Sequence, residues 1–172
     1  MNINYSVVNV DINEIRKLDE LKNYLRISHD YDDSLIQDLF QAAIEYAENF
    51  IGISINTKTI LVNINNAARE IKLKYPRIVN INSIHVCESG KKDITGNYGY
   101  LDRDTNLIYF NTEYVGKDLA IEFISGYGNA RLPSAITQGI IMHLAAMYEH
   151  NFNTEIDYAI KKIYSPYRLM KI

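Results

Sequence analysis

The densest group of residues able to do chemistry is His29, Asp30, Asp32 and Asp33. Three carboxylates and an imidazole so close together have the composition of a divalent-cation site. A water activated there would serve a small metal-dependent hydrolase or nuclease. The spacing argues against a calcium loop. Counted from Asp30, the glycine position holds Leu35 and the closing glutamate position holds Gln41. No second set of polar residues in the sequence supports the loop from behind.

Other reactive types are scattered. His143 and His150, with Glu149 beside the second, fall two turns apart on one predicted helix. Two helical turns separate them by roughly 10 Å, too far for one ion, so core or surface histidines are expected. His85 and Cys87 share one side of a predicted strand with no orienting acid that the sequence identifies. Cys87 is the single cysteine, so it has no internal disulfide partner, and its apolar strand pattern predicts a buried thiol. Gly126-Tyr127-Gly128 leads through Ala130 and Arg131 into Pro133, not into the remainder of a dinucleotide fingerprint. A strand-to-helix turn accounts for these glycines, and no Gly-x-Ser-x-Gly elbow occurs. The expectation is a protein with no catalytic residues, no cofactor and no metal.

Composition bounds the remaining classes. The 172 residues are 47% apolar and 23% charged, with net charge −3, an ordinary soluble balance that predicts one domain. No apolar run reaches the ~18–20 residues that span a bilayer, and no charged-then-apolar leader opens the sequence, so synthesis in the cytosol is expected. The net charge disfavours general duplex binding. Its distribution is uneven. Between Asp19 and Glu48, the acids Asp19, Glu20, Asp30, Asp32, Asp33, Asp38, Glu45 and Glu48 face only Lys22 and Arg26, whereas the end from Lys161 carries Lys161, Lys162, Arg168 and Lys171 without an acid. Two solvated faces explain this as well as two contact surfaces do. A DNA-binding module using the basic end is a further alternative, with salt-sensitive affinity as its signature.

The elements that must position these residues follow from periodicity. Residues 1–17 alternate weakly and are expected to form an extended arm on the body or on a neighbour. Asp19 is placed to cap a short helix ending near Ile27. Asp32 and Asp33 are placed to cap Asp33–Ile51, where Leu35, Ile36, Leu39, Phe40, Ala43, Ile44, Ala47, Phe50 and Ile51 mark one face and Gly52 a stop. A second helix runs from Pro133 to about Asn151 with Ile136, Ile140, Leu144, Met147 and Tyr148 on its face. Gly139 within it predicts close approach of another backbone. A last helix is expected from Thr154, ended by Pro166. Between the helices the period changes to two over Thr57–Ile64, Glu70–Tyr75, Ile78–Cys87, Leu107–Phe110 and Leu119–Ile124. Turns are predicted at Asn65-Asn66, at Ser89–Lys92 and at Asp102–Asn106. Strands bracketed by helices predict an α+β fold: a helical bundle with an inserted, mostly antiparallel β region. The boundaries are an arm over 1–17, helices over 18–52, strands over 57–125, helices over 133–164 and a tail over 165–172.

The order of these segments carries a resemblance. It rests on Leu18-Asp19-Glu20-Leu21-Lys22-Asn23-Tyr24-Leu25-Arg26-Ile27, an acidic loop, and Asp33-Ser34-Leu35-Ile36 opening a helix that ends Phe50-Ile51-Gly52. Ile124-Ser125-Gly126-Tyr127-Gly128 and Leu132-Pro133-Ser134-Ala135-Ile136-Thr137-Gln138 follow, then His143-Leu144, Met147-Tyr148-Glu149 and the closing Tyr164-Ser165-Pro166-Tyr167-Arg168-Leu169-Met170-Lys171-Ile172. Together they resemble the head–tail connector (head-completion, portal-adaptor) proteins of long-tailed bacteriophages, prophages and gene transfer agents. Tyr148-Glu149-His150-Asn151 departs from relatives, which usually carry an arginine there.

The resemblance implies a non-enzymatic virion protein, made in the bacterial cytoplasm and assembled as a ring, usually dodecameric, beneath the portal. Its implied partners are copies of itself, the portal and a neck or tail-completion protein, with no membrane. It would help retain packaged DNA, which passes through without specific binding, and offer the docking platform for the tail. It also implies that Pro166, Tyr167, Arg168, Leu169, Met170, Lys171 and Ile172 reach the portal. Asp30, Asp32, Asp33, Asp38, Glu45 and Glu48 would line the channel or meet a neighbouring subunit, because like charge repels phosphate.

Overall fold

A computed structural model describes residues 1–11, 15–88, 90–127, 132–149 and 157–169. The fold is α+β, and every strand pairing is antiparallel among the described residues. The chain divides into two compact units, one built from Met1–Ile12 with Asn56–Asn129, the other from Asn13–Ile55 with Ala130–Ile172.

The first unit holds the strands. Its larger sheet has the order β1 (Asn2–Asp11), β2 (Thr57–Asn65), β8 (Leu119–Ser125), β4 (Ile78–Val86) and β5 (Lys92–Asp93). A smaller sheet has the order β3 (Glu70–Lys72), β7 (Leu107–Phe110) and β6 (Gly99–Asp102). Alternation explains the core. Ile60, Val62 and Ile64 of β2, Leu119, Ile121 and Phe123 of β8, and Ile84 and Val86 of β4 are buried in one cluster with Ile71, Ile108 and Phe110 of the smaller sheet. Each such side chain contributes roughly 1.5–3 kcal/mol by leaving water.

The predicted arm is a strand of this unit, paired with β2 from Asn2↔Asn65 to Asp11↔Thr57 with a bulge between Val7 and Asn9. Its first half is anchored. Ile3 and Tyr5 pack on the core, and the Tyr5 hydroxyl accepts a hydrogen bond from the Lys74 N–H at 3.2 Å. Ser6 to Asp11 are all exposed.

Turn chemistry follows the sequence. Asn66 takes a left-handed φ of +56°, and its N–H donates to Asp118 Oδ1 at 2.8 Å. Asp102 accepts from the Asp104 N–H at 3.0 Å and the Thr105 hydroxyl at 2.6 Å, closing the β6–β7 hairpin. Gly126, at φ +123°, lets the chain pass against the Asn56 carbonyl where a side chain would collide. Three expectations shift here. The third strand stops at Lys72, although the Leu73 N–H still reaches Asn106 O. Lys92 opens β5 instead of belonging to a turn. Cys87 is exposed, because β4 ends at Val86 and Cys87 lies on the side opposite buried Ile84 and Val86.

The second unit holds α1 (Leu18–Leu25), α2 (Asp33–Ile51), α3 (Ser134–Glu149) and α4 (Tyr158–Tyr164), then a single 3₁₀ turn over Ser165–Tyr167. The buried face of α2 is Ile36, Leu39, Phe40, Ala43, Ile44, Ala47 and Ile51, and Gly52 ends it in the left-handed region. Leu35 and Phe50, at the margins of the predicted stripe, are half-buried. The cap expectations are corrected. Lys17 stands at the cap position of α1, placing Asp19 in the first turn, and Asp32 stands at the cap of α2 without a side-chain capping bond. Both acids still favour the positive helix end.

Gly139 is corrected too. It admits a ring, not a backbone: a Cβ there would lie 2.5 Å from Tyr164 Cε1. The predicted start of the last helix at Thr154, together with Gly128, Ala130, Arg131, His150 and residues 170–172, lies outside the described residues.

Candidate functional site

The acidic loop is built around one lysine. α1 carries Lys22 to the loop, where its Nζ lies 2.5 Å from Asp30 Oδ1 and 2.7 Å from Asp33 Oδ1. The side chain of Lys22 is 11% exposed, so its charge depends on these carboxylates. Hydrogen bonds that Lys22 donates to Asp30 and then to Asp33 raise its pKa, and the one to Asp30 lowers the Asp30 pKa. The Tyr148 hydroxyl donates to Asp32 Oδ2 at 2.6 Å, tying α3 to the start of α2. That hydrogen bond raises the Tyr148 pKa. His29 Nε2 sits 3.9 Å from the same Asp32 oxygen. These carboxylates hold three helices in place. No cluster of three or more metal-ligating side chains occurs among the described residues.

The remaining predicted acids separate. Glu48 Oε1 accepts the Ile55 N–H at 2.7 Å and so fixes the chain beyond α2. Asp38 and Glu45 are exposed on α2, with Gln41 Nε2 donating to Glu45 at 3.1 Å. They lie seven residues apart, two turns along one face.

The histidines split in the same way. His143 is fully buried on α3, with the Tyr46 ring edge-on at 5.2 Å. His85 is opposite Asp93 in the β4–β5 register, but that carboxylate accepts the Thr95 N–H at 2.8 Å and the Thr95 hydroxyl. Asp93 is therefore held below its ordinary pKa chiefly by Thr95 and is not an orienting acid for His85.

The basic end folds back onto α2. The Arg168 guanidinium stands 5.2 Å from the centre of the Phe50 ring, and the Leu169 N–H donates to Ile51 O at 2.9 Å. Pro166 and Tyr167 form the turn that aims it, and Lys161 and Lys162 are exposed on α4.

In the strand unit, a groove of about 640 Å³ lies beside the smaller sheet, where the Tyr100 and Tyr109 rings stack at 4.4 Å. Its only charged lining residues are Arg69 and Glu70, and it holds no nucleophile–base pair. The feature sequence reasoning missed is the open outer edge of β1. Its signal was present: Asn2 to Val10 contain no charge and no proline.

Among the described residues, the side chains of these sites tie elements of the fold together. Residues 15–85 match the model of the phage gp6-like head–tail connector protein family. Over this part of the chain, less than half of its length, the sequence is similar to head–tail connector proteins. The matched span runs from the start of the helices through the first strands, the region of the Lys22 ion pairs and the α2 face.

No curated protein sequence matches this chain. Solved structures match its fold over nearly the full length. A chain in the neck of an empty gene transfer agent particle, computed with C6 symmetry, has TM-score 0.75 and 13% identity, covering 100% of this chain and 97% of that one. A chain in the neck of the native particle, computed with C12 symmetry, has TM-score 0.73 and 14% identity over 100% and 97%. A chain in the virion of the native particle has TM-score 0.70 and 15% identity over 98% and 96%. No helix among the described residues is long and apolar enough to cross a membrane.

Proposed function

We propose that this chain is a head–tail connector, a structural protein of the virion neck forming a ring between portal and tail of a phage or gene-transfer-agent-like particle. The observation that carries the reading is the end-to-end match of both units to a chain of a particle neck, 100% of this protein against 97% of that one. A dodecamer is the natural stoichiometry, supported by the C12 symmetry used for one matched neck. The ring completes the filled head, helps retain DNA, and presents a platform to the next neck or tail protein. Portal attachment falls to Pro166–Ile172, whose described part is aimed by the α2 anchor at Ile51. Asp38 and Glu45 are the acids best suited to a channel wall, since they are exposed and outside the Lys22 cluster. DNA would slide past them without specific contact.

The test is co-expression of the full chain with the portal encoded beside it, followed by native mass spectrometry and electron microscopy. Twelve copies docked on a portal ring support the reading. A chain that stays monomeric with portal present overturns it. Monomers without portal are compatible with it, because docking itself drives such assembly.

A further inference from the structure

The larger sheet has two open edges, and they lie on the same rows. On one side, no described strand pairs with the outer edge of β1. On the other, β5 covers the side of β4 away from β8 only at His85 and Val86, leaving Ile78 to Ser83 without a strand neighbour on that side among the described residues. The registers join these two stretches across the sheet. Val7 pairs with Ile60, Ile60 with Phe123, and Phe123 with Ile81. Asn9 leads in the same way through Thr59 and Ile124 to Asn80, and Ser6 through Leu61 and Glu122 to Ser83. The exposed half of β1 is therefore level with the uncovered half of β4.

Strand direction is also compatible. Three successive antiparallel pairings make β1 antiparallel to β4. A second copy displaced along the rows would bring its β1 beside β4 of the first in the antiparallel sense, continuing the sheet.

The physics of edges favours use of this one. Proteins guard long exposed edges with charge, proline or very short strands. β1 has ten residues, no charge before Asp11, no proline, and exposed Val7, Val8 and Val10. The opposing stretch is likewise uncharged and exposes Val79. β1 carries one register shift and β4 two, which limits the pairing to a short segment without a defence by charge. Two different edges of one sheet make a head-to-tail contact, and repetition of such a contact closes into a ring when the rotation allows.

We infer that Ser6–Asp11 of β1 in one copy pairs antiparallel with Ile78–Ser83 of β4 in the next copy of this chain, joining their sheets. This deepens the ring reading and rests on it for the closed form.

Disulfide trapping in the full chain carrying Cys87→Ser tests it. Row partners Asn9→Cys with Asn80→Cys, and the bulge residues Val8→Cys with Val79→Cys, are combined in single chains. Within one copy β1 and β4 stand three strand spacings apart, about 14 Å, beyond the ~7 Å limit of a disulfide. Any bond must therefore join copies. The expected result, with portal present, is an oxidised ladder of dimers, trimers and higher forms, absent when either cysteine is omitted.

A parallel variant, Val8→Lys with Val10→Lys, is expected to weaken assembly at least ~10-fold while shifting the thermal midpoint by under about 3 °C. A ring with no ladder overturns the edge pairing and leaves the proposed function standing. A ladder in open chains, with no ring, supports the pairing and overturns that function. A dimer formed by Asn9→Cys alone would show β1 meeting β1 and also overturns the inference.

Discussion

Gly139 is a glycine because Tyr164 fills the space of its side chain: a Cβ there would stand 2.5 Å from Cε1 and 2.9 Å from Cζ of the ring. Tyr164 is fully buried, so the ring has no room to retreat. Gly139→Ala gains about 1 kcal/mol of helix propensity but forces an overpacked contact costing ~1–3 kcal/mol. The expected outcome is a net loss in denaturant unfolding, larger for Gly139→Leu. Combining Gly139→Ala with Tyr164→Leu should be non-additive, because the second change removes the collision. Additive losses would show that the two residues do not share this space.

The Tyr164 hydroxyl has no hydrogen-bond partner among the described residues, and burial raises its pKa far above the ordinary value. Tyr164→Phe removes an unsatisfied polar group and is expected to stabilise by about 1 kcal/mol. The raised folded pKa gives the sign of the pH dependence. The contribution is intact below the unfolded value near pH 10 and falls as pH rises above it, because only the unfolded chain releases the proton. Unfolding from pH 9 to 12 should show a shallower alkaline loss in Tyr164→Phe than in the parent.

Lys22 and Asp30 shift in opposite directions. The lowered Asp30 value means stabilisation present above about pH 3.9 that disappears as pH falls through the folded pKa. The raised Lys22 value means stabilisation present below about pH 10.4 that disappears as pH rises through its folded pKa. Carboxyl titration by NMR should place Asp30 below its ordinary midpoint, and Lys22→Met should restore it. An unshifted Asp30 in the parent would contradict the ion pair.

Removing the chain after Tyr164 deletes the Leu169–Ile51 hydrogen bond and the Arg168–Phe50 contact. Their joint loss is expected to cost ~1–2 kcal/mol, leaving a folded protein, while portal attachment falls sharply. Circular dichroism with portal co-purification separates the two effects. Unfolding of the truncated chain would make this segment part of the core.

Cys87 should react with one equivalent of an aromatic disulfide reagent in the native state, at a rate close to that of the denatured chain. Slow labelling that speeds up only in denaturant would mean that the thiol is covered.

The sequence made legible what periodicity and turn chemistry control. The α2 boundaries, its buried face, the Gly52 stop and the strands at Thr57, Ile78, Leu107 and Leu119 are all present in the structure. What escaped depends on residues distant in the chain. Nothing near Asp30 announces that Lys22 and Tyr148 will consume the acidic loop, and nothing near Gly139 announces Tyr164. β6 escaped because Gly99–Asp102 is too short for alternation to show. Cys87 was misjudged because it follows buried Val86 directly, and adjacent residues of an extended chain point to opposite faces.

The helical unit is made of two stretches separated by Asn56–Asn129, so α2 is synthesised well before the α3 surface that covers it. At roughly 5–20 residues per second, several seconds pass between the emergence of Ile51 and that of Ser134. During translation the strand unit can close first, while the apolar stripe of α2 waits uncovered on the nascent chain. A chain released before Ser134 would therefore carry that stripe without the helix that buries it.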